Sequence, residues 1–374
     1  MELLSEIQGI WLPGVFPLVL GQMYAIFAIP ASGKKAGEGA DGRIVGMPWD
    51  LVGHEAAVEL LRRDIAAGRV AHAYLFTGAD GIGKRTLALQ MARAVNCENP
   101  PVPGDPCGQC RACRLIAAEK HPDLFLLRPE GPGARILVDE ARAVVHSVML
   151  RPTEAAWRIA LLADFHRALP NAANALLKTI EEPPPSTILL LTAESADELL
   201  PTITSRCRVV PLRPLRESVV VKALQERWKL PLERAKVLAR LSGGRLGWVE
   251  EQEPWEETET NRKTQFGVWM GILEGTRAAR FSFAQKAAED RDELRSALYT
   301  WESFGHDLLL RSLSKESELT NIDFLPQLND LGARITPRQA RRFLAALRRA
   351  EEQIDRNANV KLALEAAFLD APNG

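Results

Sequence analysis

Five cysteines in 374 residues are too few to staple a chain of this size, so a disulfide scaffold is excluded. Nor is there an excess of charge of either sign: 47 Lys and Arg face 48 Asp and Glu, for a net charge of −1. That balance argues against a protein whose whole surface clamps nucleic acid and leaves room only for a local basic patch. There is no internal repeat and no long low-complexity tract. With 25% charged and 46% hydrophobic residues, the composition excludes disorder, a collagen-like chain and a polytopic membrane protein. At roughly 100–200 residues per domain, the length allows two or three domains with well-buried cores.

Charge is also absent locally. From Ile7 to Gly33 no residue is charged, and the run 11–30 is long and apolar enough to be a transmembrane candidate. Against that reading, Pro13 and Pro17 interrupt any helix, Gln8 and Gln22 are polar, and Glu2 and Glu6 stand where a secretory signal carries Lys or Arg. A Gly/Lys-rich stretch, 32–46, follows, and Met47 then opens a well-patterned sequence. The expectation is that residues 1–46 are an extension outside the fold, of which an upstream mis-start with Met47 as the true first residue is one form; a loosely packed extension and a membrane anchor over 11–30 are the rivals.

From residue 47 to 214, short apolar runs at 73–77, 124–128, 159–162, 188–192 and 207–210 alternate with helix-like stretches. This alternation predicts an α/β domain on a mostly parallel sheet. Residues 215–249 read as a small helical domain, with Val219, Val220, Ala223 and Leu224 on one face and Gly243-Gly244 as a break. Six acids in the ten residues from Glu250 to Glu259, together with Pro254, predict a solvated linker over 250–262. The remainder, 263–374, is expected to be all helical. Its clearest helix starts at Thr336-Pro337, an N-cap and a first-turn proline, and carries Ala340, Phe343, Leu344 and Leu347 on one face.

The apolar run 73–77 leads straight into Gly78-Ala79-Asp80-Gly81-Ile82-Gly83-Lys84, and a helix marked by Leu87, Met91 and Val95 follows. Strand, glycine-rich loop and helix are the setting of a P-loop, in which Gly78, Gly81 and Gly83 let amides curl round phosphate and Lys84 reaches the β/γ-phosphates. The next position calls for the Ser or Thr hydroxyl that ligates Mg2+, and here it is Arg85; Thr86 lies about 100° further round the helix. Ile136-Leu137-Val138-Asp139-Glu140 imitates the second metal-binding motif but reads better as a helix start with first-turn acids. The better strand, 158–162, ends at Ala163 where the metal-holding Asp belongs, with Asp164 one place late. Both protein ligands to Mg2+ are missing, which puts ATP and Mg2+ binding in doubt.

Cys97, Cys107, Cys110 and Cys113 form a C-x9-C-x2-C-x2-C series across a loop rich in Pro and Gly. Four thiolates so close together can enclose one tetrahedral Zn2+ with no open coordination position, making the metal structural; an iron–sulfur cluster and disulfides are the alternatives. Cys207 stands apart and reads as a small packed apolar residue. His54, His72, His121 and His166 have no metal-ligand spacing. Arg206, between Ser205 and Cys207, reads by itself as a surface charge.

The run Asn171-Ala172-Ala173-Asn174-Ala175-Leu176-Leu177-Lys178-Thr179-Ile180-Glu181-Glu182-Pro183-Pro184 resembles bacterial clamp-loader subunits of DNA polymerase III, which are AAA+ proteins. So do Leu200-Pro201-Thr202-Ile203-Thr204-Ser205-Arg206-Cys207 and the late Asn357-Ala358-Asn359-Val360-Lys361-Leu362-Ala363-Leu364-Glu365. The resemblance extends from about residue 47 to the end. It implies an AAA+ domain over 47–214 with a zinc module at 97–113, a lid over 215–249, and an oligomerising collar over 263–374 behind the linker. It further implies a degenerate nucleotide site of Gly78, Gly81, Gly83, Lys84, Thr86, Asp164 and Thr192, with Thr192 at the first sensor position and Arg245 one place early for the lid arginine. Arg206 becomes an arginine finger reaching a neighbour's ATP.

Family members divide into ATP-hydrolysing motors, gamma and tau, and a non-motor branch; Arg85 and Ala163 put this chain with the latter. The expected protein is a cytoplasmic stator, partnered by gamma/tau and delta subunits, the sliding clamp and, through the assembled complex, primer-template DNA. It is not expected to hydrolyse ATP or polymerise DNA by itself. The rival is an active motor of the same architecture, with Thr86, Asp164 or Asp139 replacing the lost ligands.

Overall fold

The computed structural model describes residues 49–372 except 132–133, 253 and 316–317; the expected extension over 1–46 and the rival anchor over 11–30 lie outside the described residues. The five apolar runs form five strands close to the expected bounds: β1 (Ala73–Thr77), β2 (Leu124–Leu127), β3 (Arg158–Leu162), β4 (Thr187–Ala193) and β5 (Arg208–Pro211). They make one sheet in the order β2-β3-β4-β1-β5, and every pairing is parallel. Both faces are covered, which is why β1 and β4 are buried along their whole length and read as unbroken apolar runs rather than alternating ones.

The alternation reappears in what each face touches. Tyr74, Phe76, Ile188 and Leu190 join Leu61 of α1 (Glu55–Ala66) and Leu87 and Met91 of α2 (Lys84–Val95). Leu75, Leu189 and Leu191 join Val144 and Val148 of α4 (Val138–Met149) and Leu176 and Ile180 of α5 (Pro170–Glu181). The short α3 (Arg111–Ala117) packs beside α2. β1 is flanked by β4 and β5, and the chain leaving it crosses to the sheet's far edge, so the loop after β1 opens at the carboxyl ends of the strands where the topology reverses. A four-residue turn of helix, α6 (Pro201–Thr204), precedes β5.

The chain divides into two compact units, one of the described residues up to Leu230 with Gly244–Trp248, the other of Pro231–Gly243 with the residues from Val249 onward. The expected separate helical domain over 215–249 is therefore divided between them. In the first unit, α7 (Glu217–Arg227) is tied by the Leu215 N–H to the Gly244 carbonyl (2.9 Å) and by Arg227 to Asp50 (3.6 Å), and α9 (Leu246–Glu251) begins there. In the second, α8 (Leu232–Ser242) is held by Arg234 to Glu259 (2.8 Å) and by Arg240 to the Leu319 carbonyl (2.7 Å).

The stretch 250–262 is not an extended linker. Most of it lies in α10 (Trp255–Glu274), a 20-residue helix with Glu256 and Glu257 in its first turn, where carboxylates suit the helix dipole. Trp255 is buried at its start, with its indole N–H on the Val249 carbonyl (3.2 Å). The second unit continues through α11 (Arg277–Ala287), α12 (Arg291–Ser312), α13 (Leu325–Arg334), α14 (Pro337–Asp355) and α15 (Val360–Leu369). Trp269, Trp301, Phe304, Phe343 and Phe368 fill its core. Thr336 caps α14 as expected: its hydroxyl accepts from the Gln339 amide (3.4 Å) and its own N–H donates to the Gln339 side chain (3.0 Å). Arg280 is buried and donates to four carbonyls, those of Leu273 (3.0 Å), Phe368 (3.3 Å), Ala371 (3.1 Å) and Pro372 (2.9 Å). No helix among the described residues is long and apolar enough to cross a membrane.

Candidate functional site

Gly78, Gly81 and Gly83 all take positive φ, at 144°, 71° and 107°. Gly81 also has no room for a side chain: a Cβ there would lie 2.7 Å from the Trp248 amide nitrogen, and its carbonyl accepts the Gly247 N–H at 2.8 Å. Glycine is required at this point by conformation and by close approach together. Lys84, the first residue of α2, is buried, and its ammonium donates to the carbonyls of Gly78 (2.7 Å) and Ala79 (3.0 Å), with Asp80 at 3.5 Å.

Arg85, in the place of the metal-ligating hydroxyl, turns its guanidinium onto Glu119 beyond α3, at 2.5 Å. Thr86 is exposed. Ala163, the residue after β3, is buried and carries no ligand. Asp139 is an exposed first-turn residue of α4 paired with Arg142 (3.1 Å), and Glu140 accepts the Leu137 N–H (2.6 Å), so this pair serves the helix start.

Asp164, held at φ 49°, donates its own N–H to the Thr192 hydroxyl (2.8 Å). Burial, and then the neighbouring charge of Asp80, push its carboxyl above the ordinary value. Asp164 and Thr192 are bonded to each other with Lys84 in electrostatic range of Asp164, and two residues not singled out for this site stand beside them. Glu194, just past β4, is pushed up to about 7 by burial and by Asp80 and Glu198. His166, read from sequence only as lacking metal-ligand spacing, sits 3.9 Å from Glu194, and burial holds it below its ordinary value. The site is crowded with carboxylates, and its lysine is occupied by its own loop. Both features oppose an incoming polyphosphate that arrives without a metal cation.

Arg206 lies between α6 and β5, 39% exposed at its side chain. Its Nη1 donates to the Thr202 carbonyl (2.8 Å) and the Ser205 hydroxyl (3.3 Å), and its Nη2 pairs with Glu181 at the end of α5 (3.0 Å). These residues border a recess of about 610 Å3 lined also by His72, Ile180 and Glu182. Cys207 packs against the core beside α5, and burial pushes its thiol up to about 11.

The sulfurs of Cys97, Cys107, Cys110 and Cys113 all lie within 4.8 Å of one another. Backbone amides point at them: Cys107 to the Cys97 sulfur (3.2 Å), Gln109 and Cys110 to that of Cys107 (3.4 and 3.3 Å), and Cys113 to that of Cys110 (3.4 Å). Burial opposes ionisation of Cys107, but the amides of Gln109 and Cys110 outweigh it and bring the thiol down to about 6. Cys113 is pushed strongly up by burial and by Cys110. A metal such as Zn2+ fits this donor set, as a closed four-thiolate site.

A strand, glycine loop and helix at the switch point of a five-stranded parallel sheet define a P-loop domain of the AAA+ type, here with a helical C-terminal unit. Residues 53–216 match the family profile described as DNA polymerase III, delta subunit. The delta' subunit of Pseudomonas aeruginosa is 42% identical over 178 residues, covering 46% of this chain and 53% of that protein. The gamma subunit of Buchnera aphidicola is 34% identical over 176 residues, 47% of this chain and 48% of that protein. These two matches span about half the relatives' length. The delta' subunit of Bacillus subtilis is 27% identical over 321 residues, 85% of this chain and 95% of that protein. Over residues 53–216 the chain is thus similar to the delta' and gamma subunits of DNA polymerase III, and the likeness to a delta' subunit runs along most of its length.

Proposed function

We propose that this chain is the non-motor, delta-prime-type subunit of a clamp loader. It helps open and seat a sliding clamp on primed DNA while neighbouring gamma/tau subunits hydrolyse the ATP. The observation that carries this reading is the state of the two metal positions: Arg85 is engaged with Glu119, and Ala163 has no ligand to offer. Without Mg2+ the charge on the β/γ-phosphates is not neutralised, and phosphoryl transfer loses its main electrostatic support. The delta' relative from Bacillus supports the assignment because it aligns along most of the chain.

In this reading Arg206 is the chain's catalytic contribution, made in trans to a neighbour's ATP. Its planar fork suits phosphate, and it stands on the surface rather than in its own nucleotide site. The helical C-terminal unit serves as the collar that joins gamma/tau and delta subunits, and Zn2+ on the four cysteines is structural. The test is direct: the purified chain is assayed for Mg2+-dependent ATP hydrolysis, alone and as Lys84→Ala. No turnover is expected from either. Hydrolysis by the wild-type chain that Lys84→Ala abolishes would establish a motor instead.

A further inference from the structure

The helix α5 ends with the wrong charge. Its last residue is Glu181 and its C-cap is Glu182, so two carboxylates stand at the negative end of the helix dipole, where a cation is favoured. Helix formation does not explain them, and the break in a local rule points to a use elsewhere. Lys178 in the last turn answers the dipole in part, and Arg206 is the charge that pairs with Glu181, held asymmetrically. Its Nη1 edge is anchored inside its own turn, on the Thr202 carbonyl and the Ser205 hydroxyl, whereas its Nη2 edge, among the described residues, faces the Glu181 carboxylate alone at 3.0 Å. Glu181 and Arg206 are 45% and 39% exposed, and both border the open recess with His72 and Ser205.

We infer that Glu181 stands in for phosphate: it occupies the outer edge of Arg206 until the nucleotide of an adjacent subunit displaces it. This rests on the trans role proposed for Arg206. A carboxylate and a phosphate oxygen compete for the same N–H donors, and a multiply charged phosphate wins over a half-exposed carboxylate whose pairing is weak. The Nη1 anchor keeps the guanidinium aimed while the exchange takes place. Once displaced, Glu181 is repelled both by the helix end and by the incoming phosphate, so it moves away rather than competing again. Glu181 is thus a positioning residue, and it shields Arg206 from stray anions before the subunits meet.

The experiment uses the reconstituted clamp loader with clamp and primed DNA, carrying this chain as wild type, Glu181→Gln, Arg206→Ala or both. Glutamine keeps the shape and removes the charge. Glu181→Gln should lower the ATP concentration for half-maximal hydrolysis about two- to fivefold, with the maximal rate little changed. Arg206→Ala should lower the maximal rate, and in that background Glu181→Gln should change nothing. If Arg206→Ala is impaired while Glu181→Gln matches wild type, the stand-in role is wrong and the trans role survives. A Glu181→Gln shift that persists without Arg206 also overturns the stand-in role. An Arg206→Ala complex with wild-type kinetics overturns the trans role itself.

Discussion

Asp123 has no exposed side-chain surface and yet stays ionised, because the chain wraps it in donors. The amides of Thr153 (2.7 Å), Glu154 (2.8 Å) and Ala155 (2.9 Å) and the guanidinium of Arg158 (3.1 Å) all point at its carboxylate. Burial works against the charge, but these bonds outweigh it and hold the carboxyl below its ordinary value. Asp123→Ala leaves the three amides unanswered and Arg158 with only the Arg151 carbonyl (3.4 Å), and should lower the unfolding free energy by about 3–5 kcal/mol, read from urea denaturation. Glu302 is the opposite case. It is 14% exposed, faces Arg348 at 3.6 Å, and is pushed up to about 8 by burial and by Glu351. The folded chain therefore keeps a proton that the unfolded chain has lost above pH 4.5 or so, and stability falls as pH rises from there towards 8. Glu302→Gln should flatten that decline, a comparison that thermal melts at pH 6 and pH 8.5 would make.

At the scale of elements, the sheet was legible because both its faces are buried, which leaves each strand as an apolar run that few other structures produce. The cap of α14 and the glycine loop were legible for a similar reason: each needs particular residue types at fixed spacing. The stretch 250–262 was not, because acidic composition reports exposure to water and says nothing about whether the exposed backbone is helical. Exposed Glu256 and half-exposed Glu259 stand on α10 and answer Arg234 of α8. The cysteine loop is fastened at its middle and at its far end: Asp105 takes the Trp49 indole (3.2 Å) and Arg62 (2.8 Å), while α3 packs on α2. Purified protein should carry about one Zn2+ per chain by metal analysis, and Cys110→Ser with Cys113→Ser should lose it. Retention of the metal by that double variant would refute the cluster as its ligand set.

For the whole molecule, the difference between what sequence shows and what it hides is a matter of distance along the chain. The P-loop and the four cysteines are local patterns. The pairing of Arg85 with Glu119, and the meeting of Asp80, Asp164, His166 and Glu194, arise only when the strand ends converge. If Arg206 acts in trans as proposed, Arg206→Ala in a reconstituted clamp loader should leave zinc content and assembly intact. It should then cut stimulated ATP hydrolysis only a few-fold, although a finger is worth about 10³–10⁵ at the one site it would serve. Arg206→Lys should do nearly as much harm, since an ammonium lacks the fork; steady-state ATPase of the two complexes checks both. A last consequence concerns synthesis. Three of the four carbonyls that hold Arg280 lie 88, 91 and 92 residues further along the chain. Until that later segment has been made and has folded back, the buried cation lacks most of its partners. The α/β unit, whose last strand ends at Pro211, can close as the chain emerges. The helical unit closes only after residues 368–372 reach Arg280, and a product that stops short of Ala371 lacks those carbonyls.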